Sequence, residues 1–363
     1  MLRIVSIVVL LLIASGAAAL DYRVSVVADG LDHPWSLAPL PDGSLLVTER
    51  AGRLRVIEQG RLRAEAVAGV PAVLSESQGG LFEVLPDRDF AQNRTLYLSF
   101  AAGTHAANGT RVIRARFDGR ALDEPATIFA AKPLKRGAVH YGARMTQLGD
   151  GSLLIGLGDG FEFREEAQNL ASHLGKIVRV MPDGSVPADN PFAGRADALP
   201  EIYSLGHRNV QGLLYDPQSR SVYAHEHGPR GGDEINRIEP GRNYGWPLVT
   251  FGLDYTGAAV SPFTEHAGLT APLLHWTPSI APAGLTLYRG EAFPQWRDSL
   301  LVAALAARQV RRVELVGGKP GAQEILFAEL GERLRDVRVA ADGGLYLLTD
   351  ANPGKVLKID PAR

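Results

Sequence analysis

The 363-residue sequence has no cysteine. Disulfide staples are therefore excluded, and stability must come from a packed core. A lipoprotein is excluded as well, because no cysteine follows the N-terminal apolar run. Charge of one sign is missing too: 38 Lys and Arg face 40 Asp and Glu, a net charge of −2. A nucleic-acid binder needs a basic face, which this balance does not supply. With 45% hydrophobic and 21% charged residues, wholesale disorder is also excluded. Beyond the first twenty residues no apolar run is long enough to span a bilayer. No long amphipathic helix or linker appears either, which argues against two domains.

The first twenty residues read MLRIVSIVVLLLIASGAAAL. Arg3 supplies a positive start, Ile4 to Ile13 a short apolar run, and Ala17 to Ala19 a small-residue cleavage site. We read residues 1–19 as a secretory signal peptide and 20–363 as the mature domain. The competing reading is an uncleaved anchor. An exported protein without disulfides fits a bacterial periplasm. Sequons at Asn93 and Asn108 would matter only in a eukaryotic secretory route.

Glycine, by contrast, is abundant: 40 residues, or about 11%, against a usual ~7%. Excess glycine without low complexity implies many turns. A pattern of turn, short β-rich run, turn and second run recurs, as in PDGSLLVTERAGRLRVI (41–57) and ADGGLYLLTDANPGKVLKI (341–359). Equivalent starts fall at Ser44, Thr95, Ser152, Ser221, Ser299 and Gly344. Six hairpins at this spacing predict an all-β, six-bladed β-propeller with four-stranded antiparallel blades. A pair of unclosed β-sandwiches is the alternative. The third and fourth gaps are the longest and leave room for insertions on one face, where sites form.

Five stretches carry side chains capable of chemistry. His140, in VHYGARMTQL, precedes a strand and could act as a general base, although a lone His is more often structural. His207, Arg208 and Asn209 sit together; the Arg fork suits a carboxylate or developing oxyanion, or simply ties down a loop. In HEHGPRGGDEIN, His225 and His227 alternate without completing a zinc pattern. The Gly228-Pro229 turn there can aim carbonyl oxygens outward, with Asp233 and Glu234 nearby, a donor set that suits calcium better than zinc. Arg333 and Arg335 share one face of an extended segment and could grip a polyanion, or form a solvated edge. Trp276, before a Pro-rich loop, could wall a flat ligand or a sugar, or be a core aromatic.

Together these stretches bring the sequence to a resemblance. SQGGLFEVLPDRDF (77–90), HYGARM (140–145), LGHRNVQG (205–212), HGPRGGDEIN with NYGWP (227–247), WTPSIAP (276–282) and RLRDV (333–337) are similar to segments of the soluble PQQ-dependent aldose sugar dehydrogenases, the glucose/sorbosone dehydrogenase family. The likeness covers essentially the whole mature chain. It implies a six-bladed propeller that oxidises aldoses to lactones with PQQ and Ca²⁺. It makes His140 the base that takes the anomeric hydroxyl proton, and Arg208 and Asn209 contacts of PQQ, the Arg beside the reactive carbonyl. Gln78 borders cofactor and base, Arg333 and Arg335 hold the PQQ carboxylates, and Trp276 lies beside cofactor and substrate. The carbonyls of Gly228 and Pro229 ligate the Ca²⁺ at PQQ, while Glu234, Tyr244 and Tyr255 match a second, structural Ca²⁺ site.

Two positions depart from the family pattern. Ala306 stands where a Lys contacting PQQ is usual, with Arg308 as the nearby substitute, and Val139 replaces an Asp before the base. Short insertions imply a monomer with an open site, acting on a small aldose and passing electrons to an external acceptor, without nucleic acid or membrane insertion. The other classes considered are a Ca²⁺-dependent propeller lactonase or esterase and a non-catalytic binding propeller.

Overall fold

The computed structural model describes residues 22–362, so the signal-peptide reading of residues 1–19 lies outside the described residues. The chain forms six sheets of four antiparallel strands each. The first strands of the blades are Pro34–Pro39, Leu81–Pro86, Gly142–Gln147, Val210–Asp216, Pro282–Tyr288 and Leu334–Val339. Each first strand packs against the first strands of its neighbours, so these six line the axis. The second strands begin at Leu45, Thr95, Leu153, Ser221, Ser299 and Leu345, at or beside the six repeat starts. The ring closes when Tyr22–Leu31 pairs with Gly354–Pro361 as the outer strand of the sixth blade. The protein is a six-bladed β-propeller. Among the described residues helix is confined to Phe90–Asn93 and three short 3₁₀ turns, and none is long and apolar enough to cross a membrane.

The core is a ring rather than a ball. Six buried apolar clusters each lie between two neighbouring blades, such as Leu46, Val56, Leu81 and Leu98 between the first and second. The short strands bury both faces against adjacent blades, which is why they read as apolar runs instead of clean alternations.

One irregularity repeats in all six blades and positions the site. Each inner strand shifts register against its neighbour near its N-terminal end, for example between Gly142 and Met145 and between Val210 and Gly212. Such bulges bend a strand and re-aim its side chains. The residues before the inner strands therefore converge on one end of the axis. The chain after Asp233–Ile238 adds to that end: it climbs beside the outer strand of the third blade, through a parallel bridge of Leu205 with Asn243. Trp246 and Tyr255 thereby arrive over the same end.

Candidate active site

A cavity of about 310 Å³ opens at this end of the axis. Gln78, Asn209, Arg333 and Arg335 line it, together with Arg50 and Asp350. Arg335 is 8% exposed, and its Nε is buried without a partner. Its Nη2 lies 3.2 Å from Asp350 Oδ1, while Arg333 reaches the same carboxylate at 2.8 Å. Burial raises the Asp350 pKa, but the charges of Arg335 and Arg333 outweigh it and hold the group below the usual carboxylate range. Two guanidiniums share this one carboxylate, so the cluster keeps an excess positive charge. Arg50 enters from the first blade, its Nε also buried and unpartnered, its Nη2 donating to the Ser77 carbonyl. Further along the inner strands, Arg144 and Arg338 pair with Glu83 and Asp336 to floor the channel.

His140 stands beside this cavity, next to its lining residues Tyr141 and Gly142. Its backbone lies at φ 49°, a strained region for a residue other than glycine and common at functional sites. The amide of His140 donates to Gln78 Oε1 at 2.9 Å, tying the base to the turn of the second blade. Nδ1 of His140 lies 2.7 Å from Asp159 Oδ1. A buried carboxylate in that position fixes Nδ1 as the donor, which leaves Nε2 as the acceptor. Asp159 follows strand Leu153–Leu157, and close approach of this loop requires Gly158: a Cβ there would lie 2.2 Å from the His140 carbonyl oxygen. Burial lowers the His140 pKa from 6.5, against the pull of Asp159. For Asp159, burial works upward, but hydrogen bonding from His140 and the charges around it bring the pKa below 3.8. Trp246 Nε1 donates to Asp159 Oδ2 at 2.8 Å.

Arg208 is buried beside this pair. Its Nη1 donates to the carbonyls of His227 at 3.1 Å and Gly228 at 2.6 Å. The Gly228 turn is anchored by Asp233, whose Oδ1 accepts from the Gly228 amide at 3.0 Å and whose Oδ2 accepts from Ser279, Ile280 and Ala281. The turn also needs its glycine: a Cβ on Gly228 would lie 2.2 Å from the Gly231 carbonyl oxygen.

The structure thus groups Gln78, Asn209, Arg333 and Arg335 in the cavity, with His140, Arg208 and Gly228 in the adjoining cluster and Pro229 next in the Gly228 turn. Three expectations are corrected. Trp276 lies in an outer strand, packs in the core between the fourth and fifth blades, and donates Nε1 to Gln323, so it does not wall the cavity. An outer strand is radially remote from the axis. Trp35 is the indole that lines the cavity, and Trp246 stands in the adjoining cluster, 5.4 Å from the Arg208 guanidinium. Tyr255 does not join Glu234 and Tyr244; its hydroxyl lies 3.4 Å from Arg208 Nη2 at the site mouth. Arg308 is exposed and donates to the Gly331 carbonyl, outside the cavity lining.

Glu234 and Tyr244 border a separate cavity. Glu234 faces Glu226 across the strand pair. Burial, then the Glu226 charge, raises Glu234 to about 8. The Tyr244 hydroxyl donates to the Arg237 carbonyl and accepts from the Glu239 amide.

The fold and site define a six-bladed propeller with a carboxylate-held histidine beside an arginine-lined axial cavity. The profile of the Glucose / Sorbosone dehydrogenase family matches residues 31–358, and the chain belongs to that family. It is 39% identical to the aldose sugar dehydrogenase YliI of Escherichia coli over 351 residues, covering 95% of this chain and 94% of that one. A solved glucose dehydrogenase superposes with a TM-score of 0.91 at 44% identity, covering 94% of this chain and all of the other. The PQQ-bound aldose sugar dehydrogenase of Streptomyces coelicolor gives 0.77 at 30% identity, over 94% of this chain and 99% of that one. Membership of this family makes the chain an oxidoreductase.

Proposed function

We propose that the chain is a periplasmic, PQQ- and Ca²⁺-dependent enzyme that oxidises the anomeric hydroxyl of aldoses to the lactone. The observation that carries this reading is Arg335 with its unpartnered Nε, beside Arg333, on a cavity adjoining the His140–Asp159 pair. PQQ is a flat tricarboxylate, and a buried, under-partnered guanidinium beside a second, exposed one fits such a group. Arg333, Arg335 and Arg50 would hold its carboxylates, with Gln78, Asn209 and Arg208 around its quinone end.

Bound PQQ supplies the electron sink for the hydride leaving the anomeric carbon, chemistry no side chain provides. His140 Nε2 takes the hydroxyl proton as the C–O bond becomes a carbonyl. Asp159 keeps Nδ1 protonated and offsets the imidazolium charge that follows. Arg208 places a fixed positive charge beside the developing negative charge. Trp246 steadies Asp159 from the other side, and burial keeps the base neutral near pH 7.

For Ca²⁺ the donors are the carbonyls of Gly228 and Pro229, hard oxygens of the type calcium prefers. The Gly228 oxygen faces the Arg208 guanidinium, so these carbonyls suit a dication only alongside an anionic ligand, a condition PQQ meets. Ca²⁺ would act there as a Lewis acid. Glu234 and Tyr244, which line one cavity, are proposed to hold a second, structural Ca²⁺, which would relieve the repulsion between Glu234 and Glu226. The enzyme acts as a monomer, hands electrons to an external acceptor, and needs neither nucleic acid nor membrane insertion. A lactonase would require free axial carboxylates, but Glu83 and Asp336 are paired with Arg144 and Arg338.

Titrating PQQ with Ca²⁺ into the purified protein tests the reading. Saturable binding seen in the quinone absorbance supports it; no spectral change at millimolar Ca²⁺ overturns it.

A further inference from the structure

Two large aromatic side chains stand exposed beside the base. Phe161 is 47% and Tyr255 58% exposed. The Phe161 ring meets the His140 ring edge-on, with centroids 5.1 Å apart and planes at 89°. Tyr255 continues the wall outward, 6.1 Å from Phe161 at an interplanar angle of 31°. Phe161 is held there against its own backbone preference, at φ 71°, a conformation that bulky residues rarely adopt. The restraint is visible: its amide donates to Asp159 Oδ1 at 2.8 Å, the same oxygen that holds His140 Nδ1. Tyr255 is steered by Arg208, whose guanidinium carbon lies 5.9 Å from the ring. Strain retained at one position, with an apolar ring left in water beside a base, indicates a surface built to be covered.

We propose that Phe161 and Tyr255 form a carbohydrate subsite that stacks on the apolar C–H faces of sugar rings. This rests on the aldose dehydrogenase reading. Phe161, against the base, takes the ring being oxidised; Tyr255, further out, takes the next unit of a reducing oligosaccharide. An aromatic wall suits this ligand because a pyranose presents C–H bonds on its faces and hydroxyls at its edge. Affinity for the sugar then comes from the wall, while the proton transfer stays with His140.

Steady-state kinetics of the PQQ- and Ca²⁺-loaded enzyme test it, with glucose and a reducing glucose disaccharide. Phe161→Ala is expected to raise KM at least tenfold for both sugars, with kcat within threefold of the parent. Tyr255→Ala should raise KM for the disaccharide at least fivefold more than for glucose. Phe161→Leu, which keeps bulk but not the π face, should resemble the alanine variant, whereas Phe161→Tyr and Tyr255→Phe should restore the parent KM. PQQ affinity and thermal midpoint, measured on each variant, establish that the fold is intact. Unchanged KM in the alanine variants, or a fall confined to kcat, overturns the subsite. Failure of the parent enzyme to turn over any aldose overturns the underlying reading instead.

Discussion

Asp159 Oδ1 sits 2.7 Å from His140 Nδ1, and the two residues flank paired strands of one blade, where Gly142 opposes Leu157. The pairing of inner and second strands thus sets the geometry of the base directly. Replacing Asp159 with Asn keeps the shape but removes the charge that fixes the tautomer. We expect kcat to fall by roughly 10²-fold or more, with PQQ affinity nearly unchanged. Stopped-flow reduction of the bound quinone by glucose reads this; an unaltered rate would show that the carboxylate has no part in proton transfer.

The pH dependence follows from the direction of the His140 shift. Burial lowers its pKa from 6.5, so the neutral, competent form persists into mildly acid solution. The acidic limb of kcat/KM should therefore have its midpoint below pH 6.5, and His140→Ala should abolish turnover while leaving PQQ binding measurable. A midpoint above 7 would mean that Asp159 prevails over burial.

Anion binding should depend on the arginines unequally. Arg335→Ala removes a buried donor, and a hydrogen bond to a charged group is worth about 1.5–3 kcal/mol, which is roughly 10- to 100-fold in affinity. Arg50→Ala should weaken PQQ binding by a smaller factor in the same titration, because Arg50 also serves the Ser77 carbonyl. Arg308→Ala should leave the affinity unchanged.

How much of this was legible in the sequence varied with the signal. The blades were legible because each hairpin is local: Ser44, Thr95 and Ser299 start recognisable turn-and-run units. Asn209, Arg333 and Arg335 were legible because they precede or open inner strands and carry side chains suited to an anion, whereas Gln78 came from the family resemblance alone. Trp276 misled because it lies only six residues before an inner strand, yet the last strand of a blade is its outer one. Asp159 was missed because GDG at 158–160 reads as an ordinary turn. Only the pairing of Gly142 with Leu157 brings it to the base. Trp246 and Tyr255 reach the site by the climb of the chain beside the third blade, a path that periodicity does not encode.

Acid stability offers a further test. His225 is fully buried, with neither ring nitrogen bonded, and burial lowers it to about 3. Between pH 6.5 and 3 the unfolded chain binds a proton there that the folded chain does not. Stability should therefore fall as pH drops through that window, by up to about 1.4 kcal/mol per pH unit from this residue. Urea unfolding of the parent and His225→Gln at pH 7 and 5 should show a smaller loss in the variant.

The Glu226–Glu234 pair predicts a metal effect separate from catalysis. Ca²⁺ should raise the thermal midpoint of the PQQ-free protein, and Glu234→Gln should remove most of that rise. An equal rise in the variant would place the stabilising ion elsewhere.

The most direct measurement is reconstitution. Purified mature protein is mixed with PQQ and excess Ca²⁺, and reduction of an artificial dye is followed with a panel of aldoses. The account predicts turnover that requires the sugar, PQQ and Ca²⁺ together and yields the lactone. Dye reduction without PQQ, or none with every component present, would contradict it.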